Sequence, residues 1–297
     1  KAAWKGHKDL CITMEVRYAK CMEVIRDVMP AAEARWDSRG VIEAGKVAEA
    51  DLEVFRVCKF KGGYDDAAIR RWHAERMGRA YSRQGDFPSA ISYYDKFIAL
   101  CVLPKNSGLK ARGLCLKGEM QVDLKQLDGA RLTYEHAQLI GEHDGLFEVY
   151  SKACTGLSNV ARLSGDKKKG LELAKEGLKA VGFTEPGDYG KKRDESRAIL
   201  AIISCSNVDA VDFDETLLER LTVLGVEIDA DPREGGSTTS IHAASMRGAR
   251  HVSRMRHVEA VAAYQEVVEM AKEGRFAQME EIQRLSARAM FQIILHS

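Results

Sequence analysis

Several things are scarce in this 297-residue chain, and each scarcity excludes something. Its longest unbroken apolar run is seven residues, Phe97 to Leu103. A membrane-spanning helix needs roughly 20, so no segment is expected to span a bilayer. Cysteine is sparse and odd in number, at seven, with no C-x-x-C, and the closest pair, Cys11 and Cys21, is ten residues apart. That argues against a zinc knuckle or a disulfide framework and for a reducing, cytoplasmic setting. Net charge is also small, 45 basic against 44 acidic residues or +1. A general polyanion binder is therefore disfavoured, while a local basic patch is not. The eight His include no pair at ligand spacing with Cys or acids nearby, and His251 and His257 are six apart, so no metal is expected. The chain has no P-loop, no G-x-G-x-x-G after a strand and no G-x-S-x-G. Nothing in it supports an enzyme, and no cofactor is implied. Asp212-Phe213-Asp214-Glu215 opens like a calcium loop but lacks the central Gly and closing Glu, and it reads as the start of a helix. Lys1 in place of Met reads as a fragment or a processed product.

What is present is a core-forming composition, 45% hydrophobic and 30% charged, which excludes a mainly disordered chain. The length allows one elongated domain or two compact ones. The chain also repeats itself. Ala74, Met77, Gly78, Tyr81, Gly85, Phe87, Ala90 and Tyr94 recur 40 residues on as Leu114, Lys117, Gly118, Gln121, Lys125, Leu127, Ala130 and Tyr134. A further step of 40 gives Cys154, Leu157, Ser158, Ala161, Gly165, Lys167, Gly170 and Ala174, and a step back gives Ala34, Asp37, Ser38, Val41, Gly45, Val47, Ala50 and Val54. The spacing i, i+3, i+4, i+7 is helical on both sides of Arg83-Gln-Gly-Asp-Phe-Pro88. Gly85 is expected to end one helix, Asp86 to cap the next and Pro88 to occupy its first turn. All five prolines fall at expected helix edges or loops, and nothing reads as alternating strands.

Each unit is thus a helical hairpin that cannot bury both faces alone, so neighbours must stack. Ala74-x-x-Met77-Gly78-x-x-Tyr81 followed by Ala90 and Tyr94 resembles the tetratricopeptide repeat, with Ala74 replacing its first aromatic. The 40-residue period is longer than the usual one and resembles adaptors of the Partner-of-inscuteable (LGN) and rapsyn type. The resemblance implies an all-α, TPR-like α-solenoid, a right-handed superhelix of hairpins with a concave groove. The expected organisation is an N-terminal helix in 1–29 and four repeats in 30–189. Two divergent hairpins follow in 190–275, with a loop at about 229–240, and then a lone C-terminal helix in 276–297.

In such a fold the first helix of each hairpin lines the groove. Its non-packing face would carry Trp72, Arg76, Arg79 and Arg83; then Arg112, Leu116, Glu119 and Asp123; then Lys152, Gly156, Asn159 and Leu163 with Arg162 beside them. The same offsets, stepped back, give Ala32, Trp36, Arg39 and Glu43 with Arg35 adjacent. Arg70 to Arg83 holds five Arg and one Glu. Guanidinium forks pair with carboxylates in a planar, bidentate way, so the groove is expected to hold an acidic or carboxylate-bearing segment of a partner protein. Trp36 and Trp72 would be apolar anchors, and Asn159 would bond the partner's backbone. The plainer reading is a solvated face neutralised by Glu43, Glu75, Glu119 and Asp123. A second basic run, Arg247, Arg250 and Arg254, lies in a stretch from Ile241 to His257 that has no acid. It would take an acidic partner or a phosphate, or form a solvated helix face.

The sequence therefore reads as a non-enzymatic scaffold or adaptor. One alternative is a structural subunit of a cytoskeletal, ciliary or ubiquitin-ligase assembly that uses outer faces and end helices. An RNA-binding helical repeat fits poorly, because the inner positions vary where base reading needs regularity.

Overall fold

In the computed structural model the residues described are 14–34, 37–57, 66–184, 189–206, 213–230, 238–273 and 280–296. They are helical throughout apart from turns, and they fall into two compact units, 1–124 and 125–297. The architecture is an all-α, TPR-like solenoid of antiparallel hairpins.

The first unit holds α1 (14–34), α2 (Ser38–Val57), α3 (Asp66–Arg83), α4 (Phe87–Ala99) and α5 (Ser107–Asp123). Ile25, Met29, Val41, Leu52, Phe55, Ile69 and Met77 interlock α1, α2 and α3. The α3–α4 turn forms as its residues dictate. Gly85 takes φ 77°, and Asp86 N–H reaches back to the Tyr81 carbonyl at 3.0 Å. The Asp86 side chain then accepts from Ser89 N–H at 3.1 Å, with Pro88 in the first turn. This is an αL helix stop followed by a capped start. Gly78 lets the hairpin close, because a Cβ there would stand 2.6 Å from the ring of buried Tyr94.

The second unit holds α6 (Leu127–His143), α7 (Phe147–Leu163), α8 (Lys167–Val181), α9 (Tyr189–Cys205), α10 (Glu215–Asp229), α11 (Thr239–Ser253), α12 (His257–Ala271) and α13 (Glu280–His296). Left-handed backbone recurs at Lys125 (φ 61°) and Gly165 (φ 91°), 40 and 80 residues after Gly85, where the sequence period places it. Asp166 caps α8 through Lys169 N–H at 3.0 Å. Asp214 caps α10 through Thr216 N–H at 3.0 Å, so Asp214 and Glu215 do start a helix, while Asp212 lies outside the described residues. Ile199, Ile203, Leu221, Leu224 and Ile228 form one core cluster, and Ile241, Tyr264, Val267 and Ile282 form another.

The register fails at its N-terminal end. Gly45, expected at a hairpin turn, is buried in the middle of α2. A Cβ there would lie 2.1 Å from the Met77 sulfur, so the residue serves a helix contact, not a turn. The break falls instead between Ala34 and Ser38, where Asp37 accepts from Gly40 N–H at 2.8 Å. The first hairpin is therefore α1 with α2, and the N-terminal helix is not alone. Pro30, expected at an edge, lies inside α1 two residues after the end of a π-helical turn, Val24–Val28. The widened turn carries the helix past a residue with no N–H to donate. At the other end α13 is not solitary either, since Ile282 and Ala289 are buried with Tyr264 and Val267. The expected loop at about 229–240 lies mostly outside the described residues.

Candidate functional site

The arginines of α3 come together, and acids meet them. Glu33, on α1, receives Arg76 Nη1 at 2.5 Å and Arg79 Nη1 at 3.5 Å, with Arg83 Nη2 at 3.8 Å. Glu75 receives Arg79 Nη2 at 2.7 Å along its own helix and Arg112 Nη2 of α5 at 2.6 Å. Two carboxylates, each 15% exposed, are thus shared by four guanidiniums, and they bridge α1 to α3 and α3 to α5. Burial works against the Arg79 charge, yet Glu75 and Glu33 outweigh it and hold its pKa above the ordinary value. Burial and Glu119 push the Tyr94 phenol up from below the cluster. Arg76 Nε is buried without a hydrogen-bond partner.

The other expected members are placed differently. Arg39 is exposed at the start of α2, paired with Glu43 at 2.9 Å. Because its helix is the second of its hairpin, it is not equivalent to Arg79. Trp72 is half-exposed on α3. Arg35 and Trp36 lie outside the described residues. In the second unit Lys152 is held by Glu148 on its own helix and faces Asp194 of α9 at 3.8 Å. Asn159 Oδ1 already accepts from Arg162 Nη2 at 2.6 Å, so its expected bond to a partner's backbone would have to displace that one. Gly156 belongs to the packing, where a Cβ would meet the Tyr134 ring at 2.3 Å.

The second basic run is not an open patch. Arg250 is 4% exposed and lies over the Phe213 ring at 5.0 Å. Its Nε bonds Glu215 at 2.8 Å, and Arg254 joins the same carboxylate at 2.6 Å. Arg247 pairs with Glu266. The acids come from α10 and α12, outside the acid-free stretch, and the arginines brace α11 between its neighbours.

Sequence reasoning missed Glu33, the centre of the first cluster, and Asp194. Asp194 is 2% exposed, and neither carboxylate oxygen has a hydrogen-bond partner. Lys152 and Arg197 stand 3.8 Å away. Burial dominates and pushes the carboxyl up to about 6. A signal was there: one more step of 40 from Ala74, Leu114 and Cys154 lands on Asp194, and all three predecessors are buried.

Among the described residues no helix is long and apolar enough to cross a membrane, and no group of three or more His, Cys, Asp or Glu could hold a metal. Cys21, Cys101, Cys115, Cys154 and Cys205 are buried thiols; Cys21 and Cys101 donate to backbone carbonyls, and Cys154 accepts from Gln138.

No protein-family model matches the chain, and no curated protein does. Solved structures do match. The apo form of RapI superposes with a TM-score of 0.59 at 10% identity, covering 94% of this chain and 99% of that one. The Rap conjugation gene regulator of plasmid pLS20, in complex with the Phr* peptide, gives 0.57 at 14% identity, covering 98% and 76%. This is a tetratricopeptide-like helical repeat protein. A Rap protein complexed with Competence and Sporulation Factor gives 0.56 at 10% identity, covering 91% and 74%. At such identities the likeness is one of fold, and it leaves the closer resemblance of this repeat protein to LGN- or rapsyn-type adaptors as a sequence expectation.

Proposed function

We propose that this repeat protein is a non-enzymatic, cytoplasmic scaffold that binds an extended, carboxylate-bearing segment of a partner protein on the face formed by α1, α3 and α5. The observation that carries this reading is the sharing of Glu33 and Glu75 among Arg76, Arg79, Arg83 and Arg112. Each guanidinium has five N–H donors in a planar fork, so four of them around two carboxylates can still offer bonds to an arriving acid. The site is pre-organised, because its own carboxylates hold the arginines in place before any ligand arrives. Two of the similar structures are complexes, one with Competence and Sporulation Factor and one with the Phr* peptide. They support peptide binding by analogy of fold only.

The test is selection from a displayed peptide library on the full chain, followed by binding of the winners to R83Q/R112Q. These two residues lie at the edge of the cluster, so their loss leaves Glu33–Arg76 and Glu75–Arg79 paired. Enriched sequences should be rich in Asp, Glu or a free C-terminal carboxylate, and should bind the variant about tenfold more weakly, with circular dichroism unchanged. Failure to enrich, or equal binding to the variant, would refute the reading.

A second reading, a subunit packed into a larger assembly, rests on α13. There Met290, Phe291, Ile294 and Leu295 are exposed, Ile294 by 76%. Native mass spectrometry of material from its own cell tests it: co-purifying subunits favour it, and a lone monomer counts against it.

A further inference from the structure

A second candidate site lies in the other unit. Gly145, at φ 65°, turns α6 into α7, with Leu146 N–H bonded to the Gly141 carbonyl at 2.8 Å. That tight turn sets Phe147 at the start of α7. The end of α8 places Phe183 against it, the ring centroids 5.2 Å apart and tilted by 32°. Both rings remain open to solvent, 43% and 62% exposed. They border a cleft of about 230 Å³ whose other walls are Gly141, Tyr150 and Ala180, with Glu142, Glu176 and Lys179 at its rim. The Tyr150 hydroxyl donates to Glu176.

We propose that this cleft seats one arginine side chain of a partner protein. The volume suits a single side chain and is below that of ordinary small-molecule sites. The walls are aromatic and aliphatic, which suits the arginine stem and lets the flat guanidinium lie on a phenyl face. The rim carries two carboxylates against one ammonium, so it repels an anion. An uncharged apolar occupant would cover Glu142 and Glu176 without pairing them, a costly desolvation. A guanidinium pairs them instead. Glu176 is pre-set for this, because the Tyr150 bond fixes its position and leaves acceptor capacity free. Arginine is favoured over lysine because its planar fork can stack and bridge two acids at once.

The site lies within residues 125–297 and shares no residue with the arginine cluster of α1, α3 and α5, so either can fail alone. The probe is N-acetyl-arginine methylamide, with N-acetyl-norleucine methylamide as the uncharged control. Both are titrated into the full chain labelled with ¹³C-phenylalanine, with F147L and F183L assigning the two ring signals. The arginine probe should shift both signals saturably. E176Q, which keeps an acceptor for Tyr150, should weaken it about tenfold while leaving norleucine unchanged. F183A should abolish the effect, with helicity retained as the check on folding. Three outcomes overturn the proposal: no saturable shift, norleucine binding as tightly as arginine, or arginine binding that is indifferent to E176Q.

Discussion

Asp194→Asn should make the protein more stable at neutral pH, although it removes a charge that faces two cations. Asp194 is 2% exposed, and neither oxygen is hydrogen-bonded. Lys152 and Arg197, at 3.8 Å, do not repay that burial, so the carboxyl titrates at about 6 against an ordinary 3.8. An acid whose folded pKa is raised stabilises the fold only while it is protonated. That contribution is full below about 4 and is lost as pH rises to about 6. A shift of roughly 2 units at ~1.36 kcal/mol each puts the cost of the charged form on the order of 3 kcal/mol at pH 7.5. Asparagine fills the same volume without charge. That figure already includes the attraction of Lys152 and Arg197; the buried amide brings polar groups of its own that lack partners, so the net gain should be about 1–3 kcal/mol. Urea unfolding followed by circular dichroism at pH 7.5 and pH 4.5, wild type against variant, reads this directly, since the other titrating groups cancel in the comparison. The variant should be the more stable at pH 7.5, and the difference should shrink at pH 4.5, where the wild-type carboxyl carries its proton. A variant less stable at pH 7.5, or a difference that does not change with pH, would show that Asp194 is a paired charge and refute the reasoning.

Other consequences are equally concrete. Gly78→Ala gains helix propensity yet drives a methyl to 2.6 Å from the Tyr94 ring, so a net loss of about 1–3 kcal/mol is expected in thermal unfolding. Gly85→Ala meets no neighbour within 4 Å but must adopt φ 77°, and it should cost about 1 kcal/mol through backbone strain alone. Glu33→Gln leaves Arg76, Arg79 and Arg83 without their shared counter-charge and should lower the urea midpoint by an amount equivalent to about 1–3 kcal/mol. Part of that loss should return in high salt. Arg250→Ala empties a buried position over Phe213 and should cost about 2–4 kcal/mol, whereas Arg256→Ala, on the exposed turn after it, should be nearly neutral. Parallel unfolding curves compare the pair.

Much of this was legible in the residues. The period of 40 placed left-handed backbone at positions 85, 125 and 165, including Lys125, which no glycine rule would find. The αL stop and the Asp86 cap are local chemistry, readable within six residues. What escaped reading was non-local. Gly45 reads as punctuation but is a contact with Met77, which only the fold brings near. Arg76, Arg79 and Arg83 read as a positive face because Glu33 is 43 or more residues away in sequence. Arg250 read as exposed for the same reason, Glu215 being 35 residues upstream. A window of charge along one helix sees that helix's own charges, whereas ion pairs between stacked helices join residues about one repeat apart. Asp194 was within reach, since an acid standing in a column of buried small and apolar residues is itself the signal.

The measurement closest to the central claim is photo-crosslinking of a selected carboxylate-rich peptide to the full chain, with the linked residues mapped by mass spectrometry. The account predicts crosslinks on α1, α3 and α5 around Arg76, Arg79, Arg83 and Arg112, all strongly reduced in R83Q/R112Q at the same peptide concentration. Crosslinks confined to α2 and α4, or unchanged in that variant, would contradict it.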